Sequence, residues 1–219
     1  MALGLLAWAN KQTAASVEGS QPLSAFNRPY DRSSLIGEVK AALERAGRLP
    51  RVIVIGALGR CGFGCNQFAE AVGVDVTKWD LEETKRGGPF EEILDHDLFI
   101  NCIYLMKPIQ PFITKEMIEQ STTRKLSVVV DVSCDASNPH NPVPIYQGCT
   151  TFLDPVQRVV GGNAPVDVIA IDHLPSLVPF ESSKEFAEQL FPHLLKFNQT
   201  DVWSRALDLF QTKVASVRL

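Results

Sequence analysis

A short apolar run that ends in regularly spaced glycines constrains the fold of this sequence most. Val52 to Gly56 contains no polar residue and is rich in β-branched side chains, which predicts a strand buried on both faces. Gly56, Gly59 and Gly62 follow this run, and a helix-like stretch continues from Asn66. A strand, a glycine turn and a helix in this order predict an α/β crossover. The glycines of its turn allow the helix to pack closely against the strand.

An acidic residue after the next predicted strand gives this turn a chemical interpretation. Val76 to Trp79 forms that strand, and Asp80 follows it, 24 residues beyond Gly56. N–H groups at a helix start bind pyrophosphate, whereas an acid at this strand end binds an adenosine ribose and repels a 2′-phosphate. The G-x-x-G-x-x-G spacing departs from the usual motif, and the alternative is a simple crossover with an incidental surface acid. We predict dinucleotide binding, with NAD favoured over NADP.

Composition narrows the classes of protein and partner. The chain has 219 residues, 45% of them hydrophobic, and a net charge of −4. These values are typical of a globular protein and do not indicate nucleic acid or anionic membrane as a partner. The apolar opening stretch is too short to span a bilayer, so we expect it to pack on protein. Five cysteines without a C-x-x-C pair and four unclustered histidines predict reduced thiols, no metal site and a cytoplasmic protein.

Strands and helices alternate along the chain, which predicts a doubly wound parallel sheet of Rossmann type with helices on both faces. We divide the chain into a lead helix and connector (1–32), a dinucleotide-binding domain (33–177) and C-terminal helices (178–219). The predicted helices are 2–12, 33–45 with an N-cap at Ser33 or Ser34 and a C-cap at Gly47, 114–120, 182–197 and 200–217. The further predicted strands are 98–104, 126–133 and 166–171, with 149–153 and 158–160 as a short pair.

Ligands of doubly wound sheets collect at the carboxyl ends of strands, where the strand order reverses. The glycine-rich and polar residues of this sequence fall at those predicted ends. They are Gly59-Arg60, Asp80, Tyr104, Ser133 to Asp135, and Asp172-His173. We therefore expect a binding site along this edge of the sheet.

Seven sequence blocks together resemble the fungal-type saccharopine dehydrogenases, an NAD-dependent, lysine-forming family related in fold to alanine dehydrogenase. The resemblance extends from about residue 3 to the C-terminus. The blocks are Ile55-Gly-Ala-Leu-Gly-Arg-Cys-Gly62, Lys78-Trp-Asp80, Arg86-Gly-Gly-Pro-Phe90, Ile100-Asn-Cys-Ile-Tyr104, Val130-Asp-Val-Ser133, Asn138-Pro-His-Asn-Pro142 and Ile171-Asp-His-Leu-Pro-Ser-Leu177.

The family oxidises the secondary amine saccharopine by hydride transfer to NAD, and water then releases lysine and 2-oxoglutarate. The resemblance thus implies an oxidoreductase of lysine biosynthesis. It implies that Ser133, Cys134 and Asp135 face the substrate, although Cys134 departs from the smaller residue frequent there. Thr84 as a turn residue, Tyr104 as a core-edge aromatic and Cys134 as a small buried side chain are the simpler alternatives. The residues implied around NAD are Gly59, Arg60, Asp80, Thr84, Tyr104, Val132, Ile171, Asp172, His173 and Leu174.

The family's catalytic Lys and His, and its basic residues for the substrate carboxylates, belong by resemblance to an N-terminal domain. We therefore assign no catalytic residue and expect the cofactor half of such an enzyme, inactive by itself. It would be a truncated product, a fragment, or one part of a pair with a separate N-terminal half. The alternatives are a non-catalytic NAD-binding or regulatory module and an NADPH-using reductase of related chemistry. Asp80 argues against the reductase because its charge disfavours a 2′-phosphate.

Two cysteines are expected near the cofactor edge. Cys61 follows the first strand, and Cys102 lies near the end of the third. One hypothesis is a reversible bridge between them that obstructs NAD. The alternative is two separate reduced thiols, since a disulfide requires α-carbons within about 7 Å.

Overall fold

The structure is a computed structural model that describes residues 1–14, 23, 25–26, 30–103, 105, 107–197 and 199–217. Contacts within the chain divide it into two compact units, Met1–Leu174 and Pro175–Leu219. The first unit contains the sheet and all the predicted site residues that the structure describes. Tyr104 and most of the predicted connector 13–32 lie outside the described residues.

The first unit is organised around a six-stranded sheet with the order β2-β1-β3-β4-β6-β5. All neighbouring strands are parallel except β5, which is antiparallel to β6. The chain adds β2 on one side of β1 and β3 on the other, so the strand order reverses between β1 and β3. This arrangement confirms the predicted doubly wound fold. The strands are β1 (Val52–Ile55), β2 (Val76–Trp79), β3 (Leu98–Asn101), β4 (Val128–Asp131), β5 (Gln157–Val160) and β6 (Val166–Ile169).

Helices cover both faces of the sheet, which explains why the strands β1, β3, β4 and β6 are buried at every position. The helix α1 packs so tightly on one face that a Cβ on Gly4 would lie 2.8 Å from Val130 Cγ2. On the other face, Ile118 of α5 joins a buried cluster with Phe99 and Val129. A short 3-10 helix spans Glu91–Asp95, and the α-helices of this unit are α1 (Ala2–Ala14), α2 (Arg32–Ala46), α3 (Arg60–Val72), α4 (Leu81–Thr84) and α5 (Lys115–Gln120).

The ends of α2 show one prediction confirmed and one corrected. Gly47 ends the helix in the left-handed conformation, with a φ of 72°, as glycine does at many helix ends. The N-cap is Asp31 rather than Ser33 or Ser34, and its carboxylate accepts a 2.8 Å hydrogen bond from Ser34 N. A carboxylate satisfies a free helical N–H and also interacts favourably with the positive end of the helix dipole.

The predicted pairing of 149–153 with 158–160 is wrong. Thr150 instead attaches to the end of β6, because its backbone N donates to Ala170 O at 2.8 Å and its hydroxyl accepts from Ala170 N at 2.9 Å. The strand β5 pairs with β6. The strands predicted at 98–104, 126–133 and 166–171 are longer than the observed strands, which end at Asn101, Asp131 and Ile169.

The second unit contains two long helices, α6 (Pro179–Leu195) and α7 (Asp201–Val217), close to the predicted 182–197 and 200–217. Trp203 joins their adjacent ends, because its indole Nε1 donates to His193 O at 3.1 Å and its ring lies 5.1 Å from that of Phe197. Within the described part of the chain, no helix is both long and apolar enough to cross a membrane.

Candidate functional site

The turn after β1 is built from backbone contacts. Gly56 has a φ of +84°, and the N–H groups of Gly56 and Ala57 both donate to Trp79 O, at 2.9 and 3.0 Å. Gly59 is the N-cap of α3, and no side chain caps this helix start. The N–H groups of its first turn are therefore suited to bind an anion.

Gly62 fills a position that accepts no side chain. A Cβ there would lie 2.1 Å from Gly56 O and 2.6 Å from Ala57 Cα. The close contact of α3 with the turn, predicted from the glycine spacing, is therefore present. It brings the positive end of the helix directly against the carboxyl end of β1.

Asp80 connects the glycine turn to the end of β2. Its Oδ2 accepts a hydrogen bond from Leu58 N and its Oδ1 accepts one from Leu81 N, both at 2.9 Å. Its own N–H donates to Glu83 Oε2 at 2.7 Å, which completes a capping box for α4. The half-buried Thr84 donates its hydroxyl to Asp80 O at 2.8 Å. The carboxylate also accepts from the N–H of Glu83 in this capping box, and it keeps acceptor capacity for a ribose hydroxyl.

Asp131, at the end of β4, is a fully buried carboxylate that no sequence argument assigned to the site. Its Oδ1 accepts from Asn101 Nδ2 at 2.9 Å and from Ser133 Oγ at 2.6 Å, and its Oδ2 accepts from Tyr146 Oη at 2.7 Å. Burial, together with the Asp131 charge, raises the pKa of Tyr146, so the phenol remains a donor. The sequence does contain a signal for this network, because the apolar runs of β3 and β4 each end in a polar residue, Asn101 and Asp131.

The segment expected to face substrate starts from this network. Ser133 is held by Asp131, and Cys134 adopts a left-handed φ of +52° with its thiol donating to Asp131 O at 3.0 Å. Asp135 accepts a 2.8 Å hydrogen bond from Asn138 Nδ2. Burial, with a contribution from the Asp131 charge, raises the pKa of Cys134 to about 12. Cys134 is therefore a neutral thiol at physiological pH rather than a nucleophile.

The end of β6 supplies an exposed acid–imidazole pair. Ile171 is buried, and Asp172 Oδ1 accepts a 2.6 Å hydrogen bond from His173 Nδ1. That bond lowers the pKa of Asp172. The ring of Phe152 meets His173 edge-on at 5.0 Å, and Leu174 is half-buried.

The site edge is electronegative between β4 and β6. The exposed thiol Cys149 has a raised pKa, caused first by burial and then by the charges of Asp172, Asp131 and Asp135. These three carboxylates therefore act on the same region of the edge. We conclude that this region favours a cationic group and disfavours additional carboxylates.

The structure thus brings the predicted site residues that it describes to the carboxyl edge of one sheet. Gly59 and Arg60 follow β1, and Arg60 is exposed at the first position of α3. Val132 follows β4, and its N–H donates to Asn101 O at 2.9 Å. Tyr104 lies outside the described residues. Among the residues that the structure describes, no three His, Cys, Asp or Glu side chains form a group that could hold a metal ion.

No family model matches the chain, but several proteins are similar to it over most of its length. A saccharopine dehydrogenase (NAD(+), L-lysine-forming) of Yarrowia lipolytica is 47% identical over 227 residues, covering 99% of this chain and 60% of that protein. The enzyme of the same name from Candida albicans is 44% identical, covering 98% and 60%. The one from Schizosaccharomyces pombe is 48% identical, covering 81% and 50%. The chain therefore belongs to the saccharopine dehydrogenase family, and it spans about 60% of the length of the first two relatives.

Proposed function

We propose that the chain binds NAD at the carboxyl edge of its sheet and forms the cofactor-binding portion of an oxidoreductase that converts saccharopine to L-lysine and 2-oxoglutarate. The observation that carries this proposal is the uncapped glycine turn at α3, hydrogen-bonded through Leu58 N to the Asp80 carboxylate at 2.9 Å. The names of the relatives, which state NAD(+) and L-lysine formation, support the cofactor and the substrate.

The residues present fit NAD better than NADP. The first-turn N–H groups of α3 would hold the pyrophosphate, with the exposed Arg60 beside them. Asp80 would accept hydrogen bonds from the adenosine ribose hydroxyls. A 2′-phosphate would instead meet the carboxylate of Asp80 and that of Glu83, whose Oε2 accepts from Asp80 N, and repulsion between like charges disfavours its binding.

Bound NAD would accept a hydride from the carbon that carries the secondary amine of saccharopine. Ser133, Cys134 and Asp135 would line the substrate side, where Asp131 and Asn138 fix their orientation. The negative charge of this edge suits a protonated amine. It repels the three carboxylates of saccharopine, so we expect their cationic partners in the portion of the relatives that this chain does not span.

Titration calorimetry with NAD and NADP tests the cofactor. We expect the unaltered chain to prefer NAD, and Asp80→Asn to weaken NAD binding by about 1–3 kcal/mol. The same substitution should narrow the difference between the two cofactors, because it removes the charge that opposes a 2′-phosphate. Asparagine is also a good N-cap, so α4 should persist.

The matched control is Asp75→Asn, which makes the same change of charge at an exposed residue just before β2. Asp75 precedes the strand whereas Asp80 follows it, so the control should leave both affinities unchanged. Equal affinity of the unaltered chain for NAD and NADP would refute the proposed selectivity. If Asp75→Asn reduced the preference for NAD over NADP as much as Asp80→Asn does, the preference would depend on net charge and not on a ribose contact.

A further inference from the structure

The two central strands of the sheet end in polar residues that are completely buried. The strands β1 and β6 are also buried at every position but end in isoleucine, whereas β3 and β4 end in Asn101 and Asp131, each 0% exposed. These two residues lie opposite each other in the register of β3 and β4. An apolar pair would fill the same space without burying a charge, and a buried charge is weak evidence for stability. This exception points to a role at the edge of the sheet where the proposed site lies.

The Asp131 carboxylate accepts four hydrogen bonds, and two of them come from the segment expected to face substrate. Its Oδ1 accepts from Ser133 N at 3.1 Å and from Ser133 Oγ at 2.6 Å, in addition to Asn101 Nδ2 at 2.9 Å. The carbonyl oxygen of Asp131 accepts the Cys134 thiol at 3.0 Å. The two residues that begin this segment are therefore both attached to Asp131.

These contacts hold a backbone conformation that the residue type does not favour. Cys134 has a φ of +52°, in the left-handed region that a residue with a side chain seldom adopts. Such a conformation persists only where the surrounding contacts determine it, and it is frequent at binding sites. The contacts to Asp131 supply that restraint here. The directions of Ser133 and Asp135 therefore depend on the position of the Asp131 side chain.

Tyr146 holds the Asp131 carboxylate from the far end of the following loop. Its Oη donates to Asp131 Oδ2 at 2.7 Å, and among the residues that the structure describes it is the one donor to this oxygen. The side chain is 5% exposed and belongs to the buried core cluster. Burial, and then the Asp131 charge, raise the pKa of Tyr146, so its hydroxyl remains a donor even at alkaline pH. One hydroxyl thus connects this loop to the end of β4.

We propose that Asp131 and Tyr146 are positioning residues, whose hydrogen bond holds the segment 133–135 in the conformation that receives the substrate. Both side chains are buried, so they act through that segment and not by contact with saccharopine or NAD. The proposal rests on the substrate side proposed above. The restraint itself can be measured in this chain without any turnover, which separates the two proposals.

The substitution Tyr146→Phe removes the hydroxyl and keeps the buried ring. It leaves Asp131 Oδ2 without its donor, which is costly for a buried charge, so the carboxylate and the segment attached to it should shift. We expect the KM for saccharopine to rise by about tenfold. This is less than the roughly hundredfold loss that a 1 Å misplacement of substrate can cause, because Asp131 keeps three hydrogen bonds. The dissociation constant for NAD should change by less than about twofold, because the glycine turn and Asp80 are attached to β1 and β2.

Alkylation of Cys134 by iodoacetamide, followed for each cysteine by mass spectrometry, tests the restraint in the chain alone. Burial raises the pKa of this thiol to about 12, and a released segment should expose it, so Tyr146→Phe should raise its alkylation rate by about tenfold. Cys61 is exposed and Cys65 is buried, and the rates of both should stay unchanged. The control Tyr30→Phe, which removes the same hydroxyl from a half-buried residue before α2, should leave Cys134 slow. An unchanged Cys134 rate in Tyr146→Phe, or a parallel rise at Cys65 through general unfolding, would overturn the proposal.

Steady-state kinetics tests the consequence for the substrate, with the chain complemented by the portion of the Yarrowia lipolytica relative that it does not match. Tyr146→Phe should raise the KM for saccharopine, while calorimetry shows unchanged NAD binding. Equal losses for saccharopine and NAD would show a general structural role and would overturn the proposal. An unchanged KM despite faster alkylation of Cys134 would overturn it as well. Absence of turnover with the unaltered chain would instead count against the proposed function, whereas the alkylation rates would still decide whether the hydrogen bond holds the segment.

Discussion

Single residues shape the sheet edge of this chain in two ways, by the absence of a side chain and by the hydrogen bonds that a side chain makes. Gly62 allows α3 to reach the backbone of Gly56, whereas Gly64, two residues further along the same helix, has open space around it. Asp131 acts in the opposite way, because its buried carboxylate holds three neighbouring side chains at the site edge.

The two glycines of α3 provide a matched pair of substitutions. Gly62→Ala places a Cβ 2.1 Å from Gly56 O, and such overpacking costs about 1–3 kcal/mol of unfolding free energy. Gly64→Ala should be neutral or stabilising by up to ~1 kcal/mol, since alanine is the better helix former. Urea unfolding midpoints measure both effects. Equal midpoints for the two variants would show that the turn adapts to a methyl group.

At the scale of elements, one histidine fixes a short 3-10 helix, Glu91–Asp95, to the strand β2. His96 Nδ1 lies 2.7 Å from Glu92 O, and its Nε2 lies 3.0 Å from the hydroxyl of Thr77. A neutral ring that donates from Nδ1 and accepts at Nε2 satisfies both contacts.

This contact predicts a pH dependence of stability. Burial lowers the pKa of His96 from 6.5, and Arg51 also lowers it, whereas the Glu92 carbonyl, Asp95 and Asp97 oppose the shift. The unfolded chain therefore binds this proton more readily than the folded one, so the contribution is fully present above about pH 6.5 and is lost as the pH falls through the native pKa.

Urea unfolding at several pH values from 7.5 to 5.5 measures this effect. His96→Gln should lose the part of the pH slope that His96 causes. The exposed His193 of α6 provides the control, because His193→Gln should keep the slope. A slope that survives in His96→Gln would assign the titration to another group. Asp97 does not interfere, because its pKa is lowered from 3.8 and it titrates below this range.

At the scale of the whole molecule, the chain has a sheet unit and a helical unit and spans about 60% of its first two relatives. Asp131, Asp135 and Asp172 place negative charge on one region of its sheet edge. Saccharopine oxidation also needs cations for three carboxylates and a base for the amine and for water. We therefore expect the complete reaction to require residues outside this chain.

The corresponding prediction is that the 219-residue chain forms NADH from saccharopine and NAD at a rate close to background. Misplacement of the substrate by about 1 Å can cost roughly a hundredfold, and a missing general base costs about 10²–10⁴-fold. NADH absorbance at alkaline pH measures the rate. Adding the portion of the Yarrowia lipolytica relative that this chain does not match should restore part of the activity.

Two results would change this interpretation. Robust turnover by the chain alone would contradict the prediction and would place catalytic residues within it. NAD binding without any restored turnover would instead favour the alternative of a non-catalytic NAD-binding or regulatory module. An Asp80→Asn variant in the complemented assay should lower the rate at limiting NAD, which links the recovered activity to this chain.

The sequence by itself determined those features that depend on neighbouring residues. The buried runs at Val52 and Val128 predict strands, Gly47 predicts the end of α2, and Gly56 with Gly62 predicts a turn that admits no side chain. Each rests on local hydrophobicity or backbone freedom, so no distant part of the chain is needed to infer it.

The tertiary structure decided which residues from distant parts of the chain meet. Asp131 joins Asn101 and Tyr146 only because β3 and β4 are neighbours in register and the following loop returns over their ends. Cys65 rather than Cys61 contacts Cys102 because of the rotation of α3 against β3. The strand β5 pairs with β6 rather than with 149–153, and two hydrogen bonds between Thr150 and Ala170 attach that segment to the end of β6. Strand order, register and helix rotation are set by packing over the whole unit, and a linear pattern does not encode them.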